Sequence, residues 1–328
     1  MSHPTTRLGV TGPSVFPIAI GCMGMSGMYG PADDDESVAT IQRAIDRGVT
    51  LIDTGDFYGM GHNEWLIRRA IEGRRDKVQL SVKFGAQRGP DGSWLGVDTR
   101  PAAVKTFVAY SLQRLGVSVI DVYRPARLDP KVPIEETVGA IADLIKAGYV
   151  RHVGLSEVGP ETIRRAHAVH PIVDLQIEYS LASRAPEQKI FPTLAELGMS
   201  ATLYGVFARG MFTGSKPTGP RDWRSHSPRF QGDHATANEA TVARLQQIAA
   251  DRGLTPAQLS LAWVLAKQPT LVPTIGARTR AQLDDALLAL DKPLSSSAVA
   301  EIEALLPPSA FAGSRYAEEQ MRHLDSER

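Results

Sequence analysis

The sequence has almost no cysteine: Cys22 stands alone among 328 residues. A single thiol can close no internal disulfide and build no thiolate metal cluster, and it fits a reducing compartment. There is also no excess charge of either sign, because Lys plus Arg and Asp plus Glu both total 36. That balance argues against the broad electrostatic footprint used to bind nucleic acid or an anionic membrane, and neither partner is expected. No apolar run approaches the length of a membrane span. The start, Met1-Ser-His-Pro-Thr-Thr-Arg-Leu8, lacks the basic segment and apolar core of a secretion signal, so the expected location is cytoplasmic. None of the eight histidines forms a His-x-x-x-His pair, His167 and His170 read as surface residues at a helix end, and no metal site is expected.

What is present is a regular alternation. Hydrophobic residues make up 43% of the chain and charged residues 22%, the balance of an ordinary globular protein. Short apolar runs alternate with amphipathic stretches, the pattern of repeated βα units around a parallel sheet. The runs fall at Val15 to Cys22, Thr50 to Asp53, Val78 to Lys83, Ile120 to Tyr123, His152 to Leu155, Val173 to Gln176, Ala201 to Tyr204 and Thr270 to Pro273. Eight such runs in a chain of this length predict a (β/α)8 TIM barrel with extra helices and long mouth loops. Between them, Val38, Ile41 and Ile45 before Gly48, and Val138, Ile141 and Leu144 before Gly148, mark outer helices that each bury one stripe. Thr241 to Asp251 and Ala257 to Lys267, the latter opened by Thr255-Pro256, predict an extra helix pair before the last strand. One domain is expected over 1–328. The weakly patterned segment 205–237 is expected to be a flexible loop, and the tail 308–328, with Phe311 and Tyr316, is expected to fold over the barrel mouth.

In a barrel of this kind, polar residues at the C-terminal ends of the strands are the catalytic candidates. Asp53 and Tyr58 lie in Leu51-Ile-Asp-Thr-Gly-Asp-Phe-Tyr-Gly59, and Lys83 ends Val78-Gln-Leu-Ser-Val-Lys83. A free phenol, with a pKa of about 10, is a weak acid at neutral pH. A neighbouring ammonium held by a carboxylate would lower the cost of phenolate and make the phenol a proton donor. Taken singly, each residue also admits a structural role: Asp53 and Lys83 as an ion pair, Tyr58 as a packing aromatic.

Taken together with Gln176, Tyr204 and Gly276-Ala-Arg-Thr279, these motifs resemble the aldo-keto reductase family, in its potassium-channel β-subunit-like and bacterial branch. The resemblance runs from Gly21-Cys-Met-Gly24 to Gln282. It implies direct hydride transfer from NADPH to a small-molecule aldehyde or ketone, with Tyr58 as general acid, Lys83 bonded to Tyr58 and lowering its pKa, and Asp53 fixing Lys83. By position it also implies cofactor contacts from Gly21, Met23, Asp53, Ser156, Gln176, Tyr204, Gly205, Phe207, Arg209, Gly210, Gly276, Arg278 and Gln282. Within that set Ser156 and Gln176 would bond the nicotinamide carboxamide, and Tyr204 would stack on the ring. Arg278 would meet the 2′-phosphate, helped by Gln282, since a planar guanidinium matches phosphate oxygens. Phe207, Arg209 and Gly210 resemble the loop that covers the pyrophosphate. Glu157 departs from the asparagine common in the family, and Ala286 from another.

One departure is larger. Where similar proteins read Asp-x-Tyr-x-x-His-Arg-x-Asp-Pro, this chain reads Asp121-Val-Tyr-Arg-Pro-Ala-Arg-Leu-Asp-Pro130, so the catalytic histidine position carries Ala126. Losing one preorganised donor at a developing oxyanion commonly costs on the order of a hundredfold in rate. Three explanations stand: a substitute donor, with Arg124 or His62 as the candidates; an enlarged pocket for a bulkier or already polarised carbonyl; or NADPH binding with poor catalysis. Arg124 reads equally as a barrel-interior residue paired to a carboxylate, and His62 as an exposed loop residue. The expected substrate pocket comprises Tyr29, Phe57, Trp94, Arg124 and Ala126. The alternative function is an NADPH-binding regulatory or interaction protein with weak or no turnover. An unrelated barrel lyase or isomerase is disfavoured by the placement of Tyr204 and Arg278. Monomer and homo-oligomer remain equally open.

Overall fold

Eight parallel strands close into one barrel in this computed structural model, which describes residues 4–219, 222–322 and 324–328. Met1 to His3 of the N-terminal segment, positions 220 and 221 of the long loop and position 323 of the tail lie outside the described residues. The strands are β1 (Ala19–Gly21), β2 (Leu51–Gly55), β3 (Gln79–Phe84), β4 (Ile120–Pro125), β5 (Val150–Ser156), β6 (Ile172–Glu178), β7 (Ser200–Tyr204) and β8 (Val272–Gly276). Each pairs with its neighbours in sequence, and β8 pairs with β1 to close the ring. This is the (β/α)8 architecture anticipated from the alternation; every strand differs from its expected run at one end or both, two of them by three residues or more. Val15 does not join the barrel: Ser14–Val15 pairs antiparallel with Thr6–Arg7. Pro17, which cannot donate to a ladder, separates that pair from β1. The last strand runs later than expected, to Gly276, because Thr274 and Ile275 pair with Ala19 and Ile20.

The hairpin closes the end of the barrel away from the mouth. Leu8 and Val15 are fully buried there against Val122, Val173 and Val272, and the Val10 amide donates to the Gly198 carbonyl at 2.9 Å. The outer helices include α1 (Asp34–Asp46), α2 (His62–Ile71), α3 (Pro101–Leu115), α4 (Ile134–Lys146), α5 (Pro160–Val169) and α6 (Ile190–Glu196). Helix α1 is capped by the Asp33 side chain and buries Val38, Ile41, Ala44 and Ile45. The extra pair is α7 (Gly232–Ala250) and α8 (Pro256–Lys267), the latter closed by a capping box between Thr255 and Gln258. Helix α7 starts at Gly232, nine residues before the expected Thr241, which shortens the long loop. The described part of that loop is anchored by Arg224, whose guanidinium bonds both oxygens of Asp222 (3.0 and 2.7 Å), the Ser215 hydroxyl (2.8 Å) and the Lys216 carbonyl (3.1 Å). Helix α9 (Arg280–Leu287) follows β8, and Ser296–Leu305 forms a further helix. Among the described residues no helix is long and apolar enough to cross a membrane.

Candidate active site

The register of the barrel brings the expected polar residues together. Asp53 faces Ser81 across β2–β3, Gly55 faces Lys83, and Lys83 faces Arg124 across β3–β4. Asp53 accepts from Lys83 Nζ at 2.5 Å, Ser81 Oγ at 2.9 Å and Gln176 Nε2 at 2.8 Å. Three donors on one buried carboxylate hold it in place against the Lys83 side chain. Tyr58 sits just beyond β2 in a tight turn where Gly59, Met60 and Gly61 all have φ near +55° to +96°. Glycine at two of these three positions relieves a conformation that side chains rarely adopt. Asn63 ties the turn to the barrel by donating to the Cys22 carbonyl and the Ser26 hydroxyl, both at 2.8 Å.

The relation between Lys83 and Tyr58 differs from the expected one. Lys83 Nζ lies over the Tyr58 ring, 5.3 Å from its centroid, and gives its hydrogen bonds to Asp53 and, at 3.4 Å, to the Thr54 carbonyl. Burial, reinforced by Asp53, pushes the Tyr58 pKa well above 10, and burial lowers that of Lys83. The ammonium does not depress the phenol here, because Asp53 absorbs its charge. Tyr58 therefore stays protonated throughout the neutral range, as a proton donor must.

Beside Tyr58, Asp56 is buried, with only the Gly85 and Phe57 amides to offset its loss of solvent. Burial, then repulsion from Glu64, raises its pKa to about 8. A carboxyl whose folded pKa is raised contributes stability that is fully present below its unfolded pKa of 3.8 and is lost as pH rises through about 8. Asp56→Asn has no proton to lose. It is expected to gain on wild type by about 2–5 kcal/mol between acid and alkaline pH, each pKa unit being worth about 1.4 kcal/mol. Melting curves of both proteins near pH 5 and pH 9 check this; an equal gap at the two values would refute it.

Arg124 follows the interior, carboxylate-paired reading and corrects the other. It does not line a substrate pocket and cannot be the substitute donor, because its side chain is fully buried inside the barrel. Its Nη1 donates to Asp174 at 3.0 Å, Thr202 at 3.2 Å and the Leu155 carbonyl at 3.3 Å, and its Nη2 to Ser81 at 3.0 Å. His62 stands half-exposed at the start of α2, bonded to Ser26 and to Asp34, each at 3.1 Å. Trp94 stands half exposed on the hairpin Ala86–Arg88/Trp94–Val97, against the Arg88 guanidinium. Phe57 packs edge-on against Tyr58 at 4.7 Å, Tyr29 lies under Arg224, and Ala126 is buried.

The residues expected to hold a nicotinamide dinucleotide ring the same mouth. Gln176 spends its side-chain nitrogen on Asp53 and Thr202, leaving the amide oxygen as its acceptor. The Ser156 hydroxyl is buried without a partner, as a group awaiting a ligand would be. Tyr204 ends β7 with its hydroxyl donating to Glu157 at 2.7 Å. Gly21 pairs with Asp53 on one side and Gly276 on the other, and Met23 opens the following turn, Met23–Ser26. At the start of α9 the Arg278 guanidinium rests on the Tyr29 and Pro31 carbonyls at 3.1 and 3.2 Å, and its amide donates to Gln282 Oε1 at 2.9 Å. No carboxylate pairs with Arg278 among the described residues. Gly205 and Gly210 turn the loop after β7 with φ of 71° and 89°, and Phe207 packs on the core between them. Arg209 is not free to cover a pyrophosphate in this conformation. It pairs with Glu178 at 2.7 Å and lies between the Trp223 and Tyr316 rings, 4.4 and 4.5 Å from their centroids.

Several participants are missing from the expected set. Glu157, with the unusual φ of 55°, is paired with Arg315 (2.5 and 2.9 Å) and accepts from Ser326 at 2.8 Å. Burial works against its ionisation, but Arg315 outweighs it and brings the pKa down to about 2. Tyr316 bonds Tyr204 at 2.9 Å and Arg127 at 3.1 Å, so the tail closes on the strand ends, whereas Phe311 packs on Phe212. The signal for Arg315 was only an arginine beside an aromatic in the tail, with nothing in the sequence naming Glu157 as its partner.

The chain is similar to known proteins over nearly its whole length. The profile of the family described as the Aldo/keto reductase family matches residues 17–307. A probable aldo-keto reductase of Glycine max is 39% identical over 94% of this chain and 91% of its own length. An aldo-keto reductase of Schizosaccharomyces pombe, named for NADP(+), is 35% identical over 96% and 95%. Among solved structures, a glycerol dehydrogenase from Gluconobacter oxydans superposes with a TM-score of 0.82 at 28% identity, covering 97% of this chain and all of the other. The holo form of an aldo-keto reductase from Bacillus halodurans gives 0.76 at 25%, covering 96% of this chain and all of the other. A barrel whose mouth gathers a lysine-bound carboxylate, a buried phenol and an unpaired arginine before α9, matched over nearly its whole length by these relatives, belongs to the aldo/keto reductase family of oxidoreductases.

Proposed function

We propose that this protein reduces aldehydes or ketones to alcohols with NADPH, Tyr58 acting as the general acid. The observation that carries this reading is the convergence of Tyr58, Lys83 and Asp53 at the barrel mouth, with the unpartnered Ser156 hydroxyl and Tyr204 ending two further strands. NADPH, when bound, supplies the hydride that the carbonyl carbon receives. Tyr58 gives its proton to the carbonyl oxygen, and Lys83 packs over its ring. Asp53 keeps Lys83 oriented, and Gln176 is held on the same carboxylate. Ser156 and the Gln176 oxygen orient the carboxamide, Tyr204 offers its ring to the nicotinamide, and Arg278 meets the 2′-phosphate. Ala126 occupies the position of the family's catalytic histidine.

The test is mixing with NADPH and a panel of aldehydes and ketones, followed at the nicotinamide absorbance. Turnover on at least one member is expected, and tight binding without turnover on any would instead favour the regulatory alternative. Cofactor choice has its own prediction. Arg278→Ala should weaken NADPH binding by about 10–100-fold, since a charge-assisted hydrogen bond is worth about 1.5–3 kcal/mol, and should leave NADH binding within about twofold. Equal losses for both cofactors in a fluorescence titration would remove Arg278 from the 2′-phosphate.

A further inference from the structure

The arginines around the mouth are almost all neutralised. Arg124 pairs with Asp174, Arg209 with Glu178, and Arg315 with Glu157. Arg127 is different: among the described residues no carboxylate lies within ion-pair distance of it. It donates to the Ala126 carbonyl at 2.6 Å and to the Tyr316 hydroxyl at 3.1 Å, which uses two of the five N–H groups of a guanidinium. Burial alone would make it a weaker base, yet Tyr316, Tyr204 and Glu157 hold it firmly protonated. Its charge also reaches the proton donor, since Arg127 acts to lower the proton affinity of both Tyr58 and Lys83. A charged fork with donors to spare, bonded to the Tyr316 that meets Tyr204 and one residue after Ala126, is chemically suited to an oxygen that is gaining negative charge.

We propose that Arg127 is a catalytic residue of this enzyme, donating a hydrogen bond to the substrate's carbonyl oxygen where Ala126 offers none. The proposal rests on the reductase reading. As the carbon takes the hydride from NADPH, which becomes NADP+, the π electrons of the C=O bond move onto oxygen. Arg127 and Tyr58 hold that oxygen between them. Tyr58 transfers its proton to complete the alcohol, and solvent reprotonates the phenolate. Arg127 keeps its own proton throughout, because a guanidinium is too weak an acid to give it up. Neither Arg124, spent inside the barrel, nor His62, outside it, can take this part.

The test compares wild type, Arg127→Met, Arg127→Lys, Ala126→His and the double variant Ala126→His/Arg127→Met. NADPH affinity is read by fluorescence, and kcat, KM and the isotope effect are read with NADPH deuterated at the nicotinamide C4. For Arg127→Met a fall in kcat of about a hundredfold is expected, with NADPH affinity within about twofold of wild type and a larger isotope effect, because hydride transfer becomes slower. Arg127→Lys should fall between the two. Restoring the histidine in the double variant should recover at least about tenfold, and added guanidinium ion should partly rescue Arg127→Met. An unchanged kcat, a loss confined to NADPH affinity, or no recovery in the double variant would overturn the assignment. If Arg127→Met does not fold, Arg127→Lys with an unchanged kcat overturns it equally. Wild type that turns over, with Arg127→Met equal to it, removes only this proposal. Wild type that reduces nothing removes the reductase reading as well.

Discussion

Tyr58→Phe is expected to lower kcat for carbonyl reduction by about a thousandfold while leaving NADPH affinity and thermal stability nearly unchanged. General acid catalysis by a positioned group contributes about 10²–10⁴ in rate, and the variant removes only the group that carries the proton. The ring itself is retained: it would keep its edge-on contact with Phe57 and its place beneath Lys83. The hydroxyl is not what holds the turn, which depends on the left-handed backbone at residues 59–61 and on Asn63. Steady-state kinetics beside a cofactor titration check this. A variant that keeps more than about a tenth of wild-type kcat would show that the proton reaches the oxygen from elsewhere.

The largest stability effect is expected from Asp174→Leu. Arg124 and Asp174 are both fully shielded from solvent, and the carboxylate is also bonded by Thr202 at 2.7 Å. Removing the anion strands a guanidinium in the barrel interior, a loss that costs about 3–5 kcal/mol. The double variant Arg124→Met/Asp174→Leu should recover much of it, since an apolar pair of similar bulk removes the unpaired charge. Urea unfolding of the three proteins measures both steps. A single variant as stable as wild type would mean that water or another group reaches Arg124, contrary to its burial.

The barrel was legible because its signals are local and repeated. Short apolar runs end in polar residues, and stripes such as Val38, Ile41 and Ile45 name a helix face without knowledge of its neighbours. Asp53 and Lys83 were legible for a related reason: both sit at strand ends, and adjacent parallel strands in a barrel put such ends side by side. The boundary at Val15 was not, because an apolar residue in an extended run looks the same in a hairpin as in a barrel. The role of Lys83 was only half legible, since sequence places an ammonium near a phenol and cannot say that Asp53 takes up its hydrogen bonds. For Arg124 the sequence offered an interior ion pair as one of two readings, and only the fold chose between them. Its carboxylate partner is 50 residues away on β6, and only closure of the sheet brings the two together. The same holds for Arg315 and Glu157, 158 residues apart and joined by the returning tail.

The most direct test of the central claim is a single turnover in which the protein loaded with NADPH deuterated at the nicotinamide C4 is mixed with a reactive aldehyde and the product is read by mass spectrometry. The account predicts an alcohol carrying deuterium on its carbinol carbon, formed as the nicotinamide absorbance decays, and formed far more slowly by Tyr58→Phe. Tight binding of NADPH with no labelled alcohol from any carbonyl tried would contradict it.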